Sequence, residues 1–171
     1  EGKLSKKDIK IVIAAHKPYR MPEDTMYVPL HVGAEGKKNP DGTPLDLGYQ
    51  KDNEGDNISA KNPYYCELTG IYYAWKNIPA EYLGLVHYRR YFKGKNKSKD
   101  PFACIVTEPE MEKIFETHRI VVPKKRKYYI ETLYSHYAHT HYAEHLDCVR
   151  EIIGEQCPDY LNSYDKVIKQ T

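Results

Sequence analysis

The chain has 171 residues and a formal net charge of +2, which allows one ordinary hydrophobic core and is too small a charge to indicate general nucleic-acid binding. Its apolar runs are only a handful of residues long, far below the roughly 20 that a membrane-spanning helix needs. Length and composition therefore predict a single soluble domain over residues 1–171, with neither a nucleic-acid partner nor a membrane span.

The amino-terminal residues and the cysteines indicate a cytoplasmic protein. Residues 1–10 are mostly polar and lack the apolar region of a secretory signal peptide. Cys66, Cys104, Cys148 and Cys157 show no CxxC spacing, and we expect them to be reduced thiols in the core. The 17 tyrosines suit half-buried positions and pockets that bind hydroxyl-rich ligands.

The first part of the chain predicts two strands and a long loop. Residues 8–15 are largely aliphatic and are followed by His16 and Lys17, so a strand there carries polar side chains at its carboxyl end. Several prolines rule out a long helix next, and a short strand is predicted around residues 27–32. Residues 33–55 are rich in Gly, Pro, Asn and Asp, which predicts an irregular connection of a length that is commonly functional.

A helix is predicted to begin at Asn62 and to stop at Asn77. Asn62 is a typical N-cap residue, and Pro63 suits the first helical position. Four large residues recur at helical spacing and are predicted to form the buried stripe of this helix: Tyr65, Leu68, Tyr72 and Trp75.

The most informative segment is residues 84–92, a short apolar run that leads into a histidine, two arginines and three aromatic rings. It predicts a parallel strand over Tyr82–His87 that is covered on both faces. Ligands of open α/β sheets bind at the carboxyl ends of strands, so His87, Tyr88, Arg89 and Arg90 indicate an anionic ligand such as phosphate or carboxylate. The alternative is that the arginines pair with surface carboxylates while the rings complete a core.

The second half of the chain adds basic runs and helices. Residues 93–99 are predicted to form a solvated loop, with contact to an anionic membrane surface as the alternative. A capping-box pattern predicts a short helix over residues 107–115. Residues 119–123 are predicted to be a further strand, with Lys124 and Lys125 at its end. From Thr132 onward the pattern is mainly helical.

Three predicted strands thus end in polar or cationic residues. If they are parallel neighbours, these side chains gather along one edge of the sheet and form a cleft for a phosphorylated ligand. The chain has neither a P-loop nor a Gly-x-Gly-x-x-Gly turn, which argues against a P-loop NTPase or a dinucleotide-binding Rossmann domain. The predicted fold class is α/β, a mostly parallel sheet flanked by helices with a helical carboxyl-terminal part.

Other candidate residues lie beside the main helix. Asp56, Asn57 and Lys61 precede it, where side-chain amides and helix N–H groups can hold a sugar or phosphate; an Asx turn with a helix cap is the alternative. Glu67 either complements the helix dipole or reaches the cleft as a base.

Four histidines of the carboxyl half, His136, His139, His141 and His145, have spacings that share a helix face. Neither an H-E-x-x-H motif nor a nearby cysteine cluster accompanies them. Polar helix packing, or binding of an acceptor by His136 and His139, is therefore favoured over a zinc site.

Taken together, these motifs resemble those of the bacterial glycosyltransferase-like domain family of capsular and exopolysaccharide synthesis clusters, long catalogued as a domain of unknown function. The resemblance runs from Ile9 to the carboxyl end. The segments that carry it are residues 11–17, 56–59, 61–62, 65–69, 75–77, 84–92 and 123–125.

The resemblance implies a GT-A-like fold and transfer of a hexosyl group from a nucleotide-diphosphate donor to a growing glycan, on a lipid carrier. It implies that the strand end at Ala15, His16 and Lys17 flanks the nucleotide and that residues 56, 57 and 61 approach the donor. It also implies that the protein is cytoplasmic and makes peripheral contact with the inner face of the membrane.

Many GT-A enzymes use an Asp-x-Asp motif to hold a divalent metal that neutralises the leaving diphosphate. This chain contains no Asp-x-Asp, so Arg89, Arg90 and Lys124 are expected to neutralise the diphosphate without a metal cofactor.

Members of the family usually continue beyond the equivalent of Thr171, so the chain is expected to be a fragment that lacks part of the acceptor site. Glu67 and His87 are both candidates for the catalytic base. Two alternatives stay open: a noncatalytic module that binds nucleotide sugars or carbohydrates, and a metal-dependent phosphohydrolase built on the histidines.

Overall fold

The structure is a computed structural model that describes residues 6–171. The chain divides into two compact units, one up to Val121 and one from Val122 to Thr171. The first contains a sheet with helices, and the second contains helices. A single domain over residues 1–171 stays a prediction.

The sheet of the first unit has four parallel strands: β1 (Ile9–Ala15), β2 (Tyr27–His31), β3 (Gln50–Lys51) and β4 (Tyr82–His87). Their order in the sheet is β3-β2-β1-β4. Strand β1 lies inside, and its Ala14 pairs with Leu30 of β2 on one side and with His87 of β4 on the other. The predicted parallel α/β sheet and three of its strands are therefore confirmed.

The helices of the first unit are α1 (Asn62–Tyr65), α2 (Leu68–Asn77) and α3 (Glu108–Phe115), with single 3-10 turns at Ser59–Lys61 and Pro101–Cys104. The capping box predicted for α3 is present between Thr107 and Glu110. Strand side chains alternate between faces, so β1 contributes Ile11 and Ile13 to a core that includes Met111 of α3, and Val12 and Ala14 to a core that includes α2.

Strand β4 is less buried than its sequence predicts. Among residues 6–171 it pairs with β1 alone and lies at the edge of the sheet, and Val86 is its one buried residue. In β1, which is paired on both sides, every residue but Lys10 is buried. A similar aliphatic composition therefore gives different burial at the centre and at the edge of a sheet.

The predicted helix over residues 62–77 is interrupted, and its predicted buried stripe is wrong. Cys66 has a φ of 49° and separates α1 from α2. Leu68 is 56% exposed and Trp75 is 64% exposed, whereas Gly70 and Ala74 are buried. The small residues face the sheet because the helix approaches it closely: a Cβ at Gly70 would lie 2.8 Å from Val32 Cγ1.

The second unit contains α4 (Leu133–Thr140), α5 (Ala143–Gln156) and α6 (Leu161–Ile168), with a 3-10 turn at Pro158–Tyr160. The predicted helical character of this part is confirmed. Arg150 on α5 forms a two-pronged ion pair with Asp165 on α6, with N···O distances of 2.8 and 2.9 Å, and the Tyr164 hydroxyl donates to the Leu146 carbonyl at 2.7 Å.

The strand predicted at residues 119–123 is wrong. The structure describes this segment and the lysines after it, and they belong to no helix or strand. Ile120 is 79% exposed and Val122 is 71% exposed, so the apolar run lacks the cover that a buried strand would have. Lys124 and Lys125 consequently do not stand at a strand end.

Two sequence-level expectations concern the chain as a whole. Among residues 6–171, no helix combines the length and the apolar character that crossing a bilayer would require. The cysteines are free, as predicted, but their expected position in the core is wrong, because three are exposed and Cys104 is half-buried.

Candidate functional site

A cavity of about 230 Å³ lies at the carboxyl ends of β1 and β4. The strand order reverses here: after β1 the chain continues to β2 and β3 on one side of β1, and it then returns to β4 on the other side. Such a switch point is where open α/β sheets bind ligands. The lining residues are Ala14, His16, Val32, Asn62, Cys66, Glu67 and His87.

Glu67 and His87 face each other across this cavity. The Nε2 atom of His87 is 3.8 Å from Glu67 Oε1, too long for a direct hydrogen bond. The main-chain N–H of Arg89 donates to His87 Nδ1 at 3.3 Å. A neutral ring whose Nδ1 accepts a hydrogen bond carries its proton on Nε2, so that proton is on the side of Glu67.

The environment of His87 favours this neutral form. Burial lowers the pKa of His87 below the ordinary value of a histidine, although the nearby Glu67 carboxylate raises it. Arg89, Arg90 and His16 each lower it further by charge repulsion. The site therefore combines a neutral imidazole with a carboxylate whose side chain is 46% exposed and open to a ligand.

Cationic side chains surround the buried ring of Tyr88, directly beside the cavity. The Arg89 guanidinium lies 5.1 Å from the ring centroid and Lys17 Nζ lies 5.8 Å from it. The His16 and His87 rings also pack on Tyr88, with centroid distances of 5.3 and 4.3 Å. Tyr88 is only 2% exposed, so it supports these groups from beneath.

Arg89 and Arg90 are exposed and carry free positive charge. Within the described part of the chain, no carboxylate lies within 4.0 Å of either guanidinium. The alternative that they serve as surface ion pairs is therefore not observed. Two unpaired guanidinium groups beside a cavity suit a bound phosphate or diphosphate.

The opposite wall of the cavity is organised by Asp52, which is fully buried. Its carboxylate accepts hydrogen bonds from the main-chain N–H groups of Gly33 and Ala34, at 2.8 and 3.0 Å. It also accepts from the hydroxyl groups of Ser59 and Thr69. One side chain thus ties the loop after β2 to the 3-10 turn that precedes α1 and to α2.

Asn62 continues this network into the cavity. Its Nδ2 donates to the Cys66 carbonyl at 2.8 Å and to Thr69 Oγ1 at 3.1 Å, which holds the break between α1 and α2 in place. Gly33 has a φ of 64°, and a Cβ there would lie 2.4 Å from Asn62 Oδ1. Only glycine fits this position, because any side chain would displace Asn62. Glu67, which directly follows the break, is thereby aimed at His87.

Several predicted site residues lie elsewhere. Ala15 is fully buried and belongs to the core on the other face of β1, so its neighbour Ala14 lines the cavity instead. Asp56 is hydrogen-bonded by the Tyr72 hydroxyl at 3.1 Å and lies 3.8 Å from Lys76 Nζ, near the end of α2 that is remote from Glu67. The structure therefore does not bring Asp56 into the cavity.

Asn57 and Lys61 have structural contacts. Asn57 accepts from the Ser59 main-chain N–H at 3.1 Å and donates to the Gly55 carbonyl, which is the Asx turn that the sequence left as the alternative. Lys61 is the N-cap residue of α1, where Asn62 had been predicted. Its side chain is exposed.

The candidates of the carboxyl half lie in the second unit. His136 and His139 each donate from Nδ1 to the Glu131 carboxylate, at 3.0 and 2.6 Å. These bonds lower the pKa of Glu131, and the His136 ring stacks on Tyr128. Lys124 and Lys125 are exposed.

Among residues 6–171, no three His, Cys, Asp or Glu side chains converge on a common point. The buried carboxylate of Asp52 has both oxygens engaged by four donors, so it is not free to hold a cation. Work without a metal cofactor stays a prediction.

Sequence reasoning missed Asp52, Val32 and Cys66. Asp52 lies in an irregular connection that ends in Asp-Asn-Glu-Gly, a composition that predicts only a turn. The only available signal was an acid close in sequence to Ser59 and Thr69, and Glu54 and Asp56 give the same signal, so nothing singles out Asp52.

The structure defines an α/β domain with a parallel sheet and a cation-flanked cavity at its switch point, the place where open α/β sheets bind ligands. The chain belongs to the family described as domain of unknown function DUF4422, whose family model matches residues 10–171. No protein with a curated description matches the chain.

The chain is also similar to a solved structure, the apo form of the WbbM bifunctional glycosyltransferase. The TM-score is 0.76 and the sequence identity is 26%, over 96% of this chain and 32% of that chain. The chain thus spans about a third of that protein's length. These findings confirm the predicted α/β fold and make the chain a glycosyltransferase-like domain.

Proposed function

We propose that this domain transfers a hexosyl group from a nucleotide-diphosphate donor to a growing capsular or exopolysaccharide glycan, without a divalent metal. The observation that carries the proposal is the Glu67–His87 pair, 3.8 Å apart in a cavity that is flanked by the unpaired Arg89 and Arg90.

The cations account for the donor side of the reaction. When the bond between the sugar and the diphosphate breaks, negative charge develops on the leaving diphosphate. Guanidinium groups match phosphate oxygens in geometry and keep their charge at all physiological pH values. Arg89 and Arg90 therefore stabilise the leaving group, with His16 and Lys17 at the adjacent strand end and with Lys124 and Lys125 as further candidates.

Glu67 accounts for the acceptor side. Its carboxylate takes the proton of the acceptor hydroxyl while the hydroxyl oxygen forms the new bond to the anomeric carbon, and the electron pair of the broken bond leaves with the diphosphate. Neutral His87 presents its Nε2 proton toward the Glu67 carboxylate, 3.8 Å away, and so favours by electrostatic attraction the orientation of Glu67 into the cavity. Glu67 is thus the proposed base and His87 the proposed positioning residue.

The proposed partners follow from this chemistry. The donor is a nucleotide-diphosphate sugar, and the acceptor is a glycan or lipid-linked glycan. A lipid-linked acceptor is held in a membrane, so the transfer reaction must take place at a membrane surface. The proposed location is therefore the cytoplasm, with peripheral contact at the inner face of the membrane.

The test is hydrolysis of a panel of nucleotide-diphosphate sugars by the purified protein, with and without a chelator. We expect turnover that the chelator leaves unchanged and that Glu67→Gln reduces by about 100-fold or more, as removal of a general base does. The matched control is Glu116→Gln, which makes the same change at the exposed C-cap residue of α3.

Each other outcome is informative. Loss of turnover with chelator would refute neutralisation by cations alone. Binding of a nucleotide sugar without turnover would favour the noncatalytic module, and full activity of Glu67→Gln would remove Glu67 from the mechanism.

A further inference from the structure

A second basic site lies at the groove between the loop after β4 and helix α3. The groove has a volume of about 380 Å³. Its lining includes the half-buried apolar residue Ile114 and four basic side chains: Lys93, Lys95, Lys113 and His118.

The three lysines of this groove carry unpaired charge. In the described part of the chain, none has a carboxylate oxygen within 4.0 Å of its Nζ. Glu110 is the one acidic residue of the lining, and its oxygens accept from the main-chain N–H groups of Lys95 and Thr107, at 2.8 and 2.9 Å. The groove therefore offers several free ammonium groups around a carboxylate that is already engaged.

The backbone that carries the lysines is held in place. Gly94 donates its N–H to the Cys104 carbonyl at 2.8 Å, and Lys93 pairs with Ile105 in an antiparallel bridge. A Cβ at Gly94 would lie 2.9 Å from the Ile105 carbonyl oxygen and 3.0 Å from Val106 Cα. Glycine permits this close approach, so Lys93 and Lys95 project from a fixed segment.

We propose that this groove docks the phosphate group of an anionic membrane lipid. The ammonium groups bind the phosphate, and the half-buried Ile114 beside them contacts the glycerol of the lipid. A soluble phosphate would use the cations but has no group to cover Ile114. Lys97 and Lys99, which are exposed in the same loop, add to the attraction of an anionic surface.

This inference deepens the proposed function, because a lipid-linked acceptor is reached only at a membrane. It names a docking site that is distinct from the cavity at Glu67 and His87. Lipid binding and donor hydrolysis are measured separately on the same preparation, so failure of one is distinguishable from failure of the other.

The experiment is cosedimentation of the purified protein with vesicles of phosphatidylglycerol and phosphatidylcholine, compared with vesicles of phosphatidylcholine alone. We expect binding only to the anionic vesicles, weakened by added salt. The double variant Lys93→Gln with Lys113→Gln should lose about 30-fold in partitioning, at about fivefold per lysine. The control, Lys37→Gln with Lys38→Gln, removes the same charge from an exposed loop and should lose much less.

Equal losses in the two double variants would mean that overall charge and not the groove drives binding, which would overturn the proposal. The proposal would also fail if the vesicles did not bind while glycerol 3-phosphate bound at the groove, since the site would then serve a soluble phosphate. Circular dichroism of each variant verifies that it is folded.

Discussion

Two segments of this chain look alike in sequence and differ in structure. Residues 82–90 and residues 120–125 both contain a short apolar run followed by cations. The first forms strand β4, and its polar end reaches the cavity beside β1. The second belongs to no strand, and its Ile120 and Val122 are exposed.

The difference shows that a strand depends on its partner as much as on its own residues. An extended segment needs another strand for its main-chain N–H and C=O groups. Residues 82–87 pair with one edge of β1 in parallel, from the pair of Ile9 with Tyr82 to the pair of Ala14 with His87. Once β2 and β4 flank β1, both of its edges are used, so an apolar run elsewhere gains no hydrogen bonds from it.

The largest expected effect is on stability, and it comes from Asp52, which organises the wall of the cavity opposite the end of β4. Asp52→Ala would leave four buried donors without their acceptor, and we expect a loss of about 3 to 5 kcal/mol in the free energy of unfolding. Urea denaturation followed by the fluorescence of Trp75, the single tryptophan, measures it. Asp46→Ala, an exposed loop control, should cost less than about 1 kcal/mol. Similar losses in both variants would contradict the organising role of Asp52.

The next effect compares the two runs of cations directly. Arg89→Ala and Arg90→Ala should each weaken binding of a nucleoside diphosphate by about 1.5 to 3 kcal/mol, because each removes a charged hydrogen-bond donor. Isothermal titration calorimetry measures the change. Lys124→Ala and Lys125→Ala, measured in parallel, decide whether the second run contributes, and unchanged affinity would remove both lysines from the proposed site. Unchanged affinity in both arginine variants would refute the role assigned to Arg89 and Arg90.

A matched pair of valines tests the difference in burial. Val86 is 7% exposed and Val122 is 71% exposed. Val86→Ala should cost about 2 kcal/mol because it removes buried methyl groups and leaves a small cavity. Val122→Ala should change stability by less than about 0.5 kcal/mol. Equal costs in thermal or urea unfolding would mean that Val122 is covered in solution.

The smallest effect is the titration of His87, which NMR follows through its ring protons. Its pKa should lie below the ordinary value of a histidine because burial disfavours the charged ring. Glu67→Gln should lower this pKa further, since it removes a negative charge, and Arg89→Ala should raise it. The opposite directions would contradict the geometry of the pair.

The same shift has a consequence for stability. The unfolded chain binds a proton at residue 87 more readily than the folded chain does. The neutral ring therefore contributes stability that is fully present above about pH 6.5 and is lost as the pH falls through the folded-state pKa. In His87→Gln the dependence of unfolding free energy on pH should be weaker over this range.

Much of the fold could be predicted from the sequence, because the signals that predict it are formed by residues close to one another in the chain. The aliphatic run of β1, the capping box of α3 and the helical carboxyl half are patterns of neighbouring residues, and the structure has them. The stripe Tyr65, Leu68, Tyr72 and Trp75 was also a local pattern, but it was misleading. Which face of a helix is buried depends on the surface it meets, and the sheet covers the face of α2 that carries Gly70, Tyr73 and Ala74.

The residues of the candidate site also divide into those that the sequence predicted and those that only the structure revealed. His16, Glu67, His87, Arg89 and Arg90 were found because their residue types stand out at the ends of predicted elements. Asp52 and Asn62 act through contacts that join residues 17 and 7 positions apart, and no periodic pattern records such contacts.

The sequence by itself determined that the chain forms a parallel α/β sheet and that cations follow its apolar strands, because both properties depend on the order of residue types. Only the tertiary structure decided which apolar run becomes a strand beside β1 and so brings its polar end, at His87, to the cavity. That choice depends on which segment pairs with the free edge of β1, and a strand edge can accept one partner.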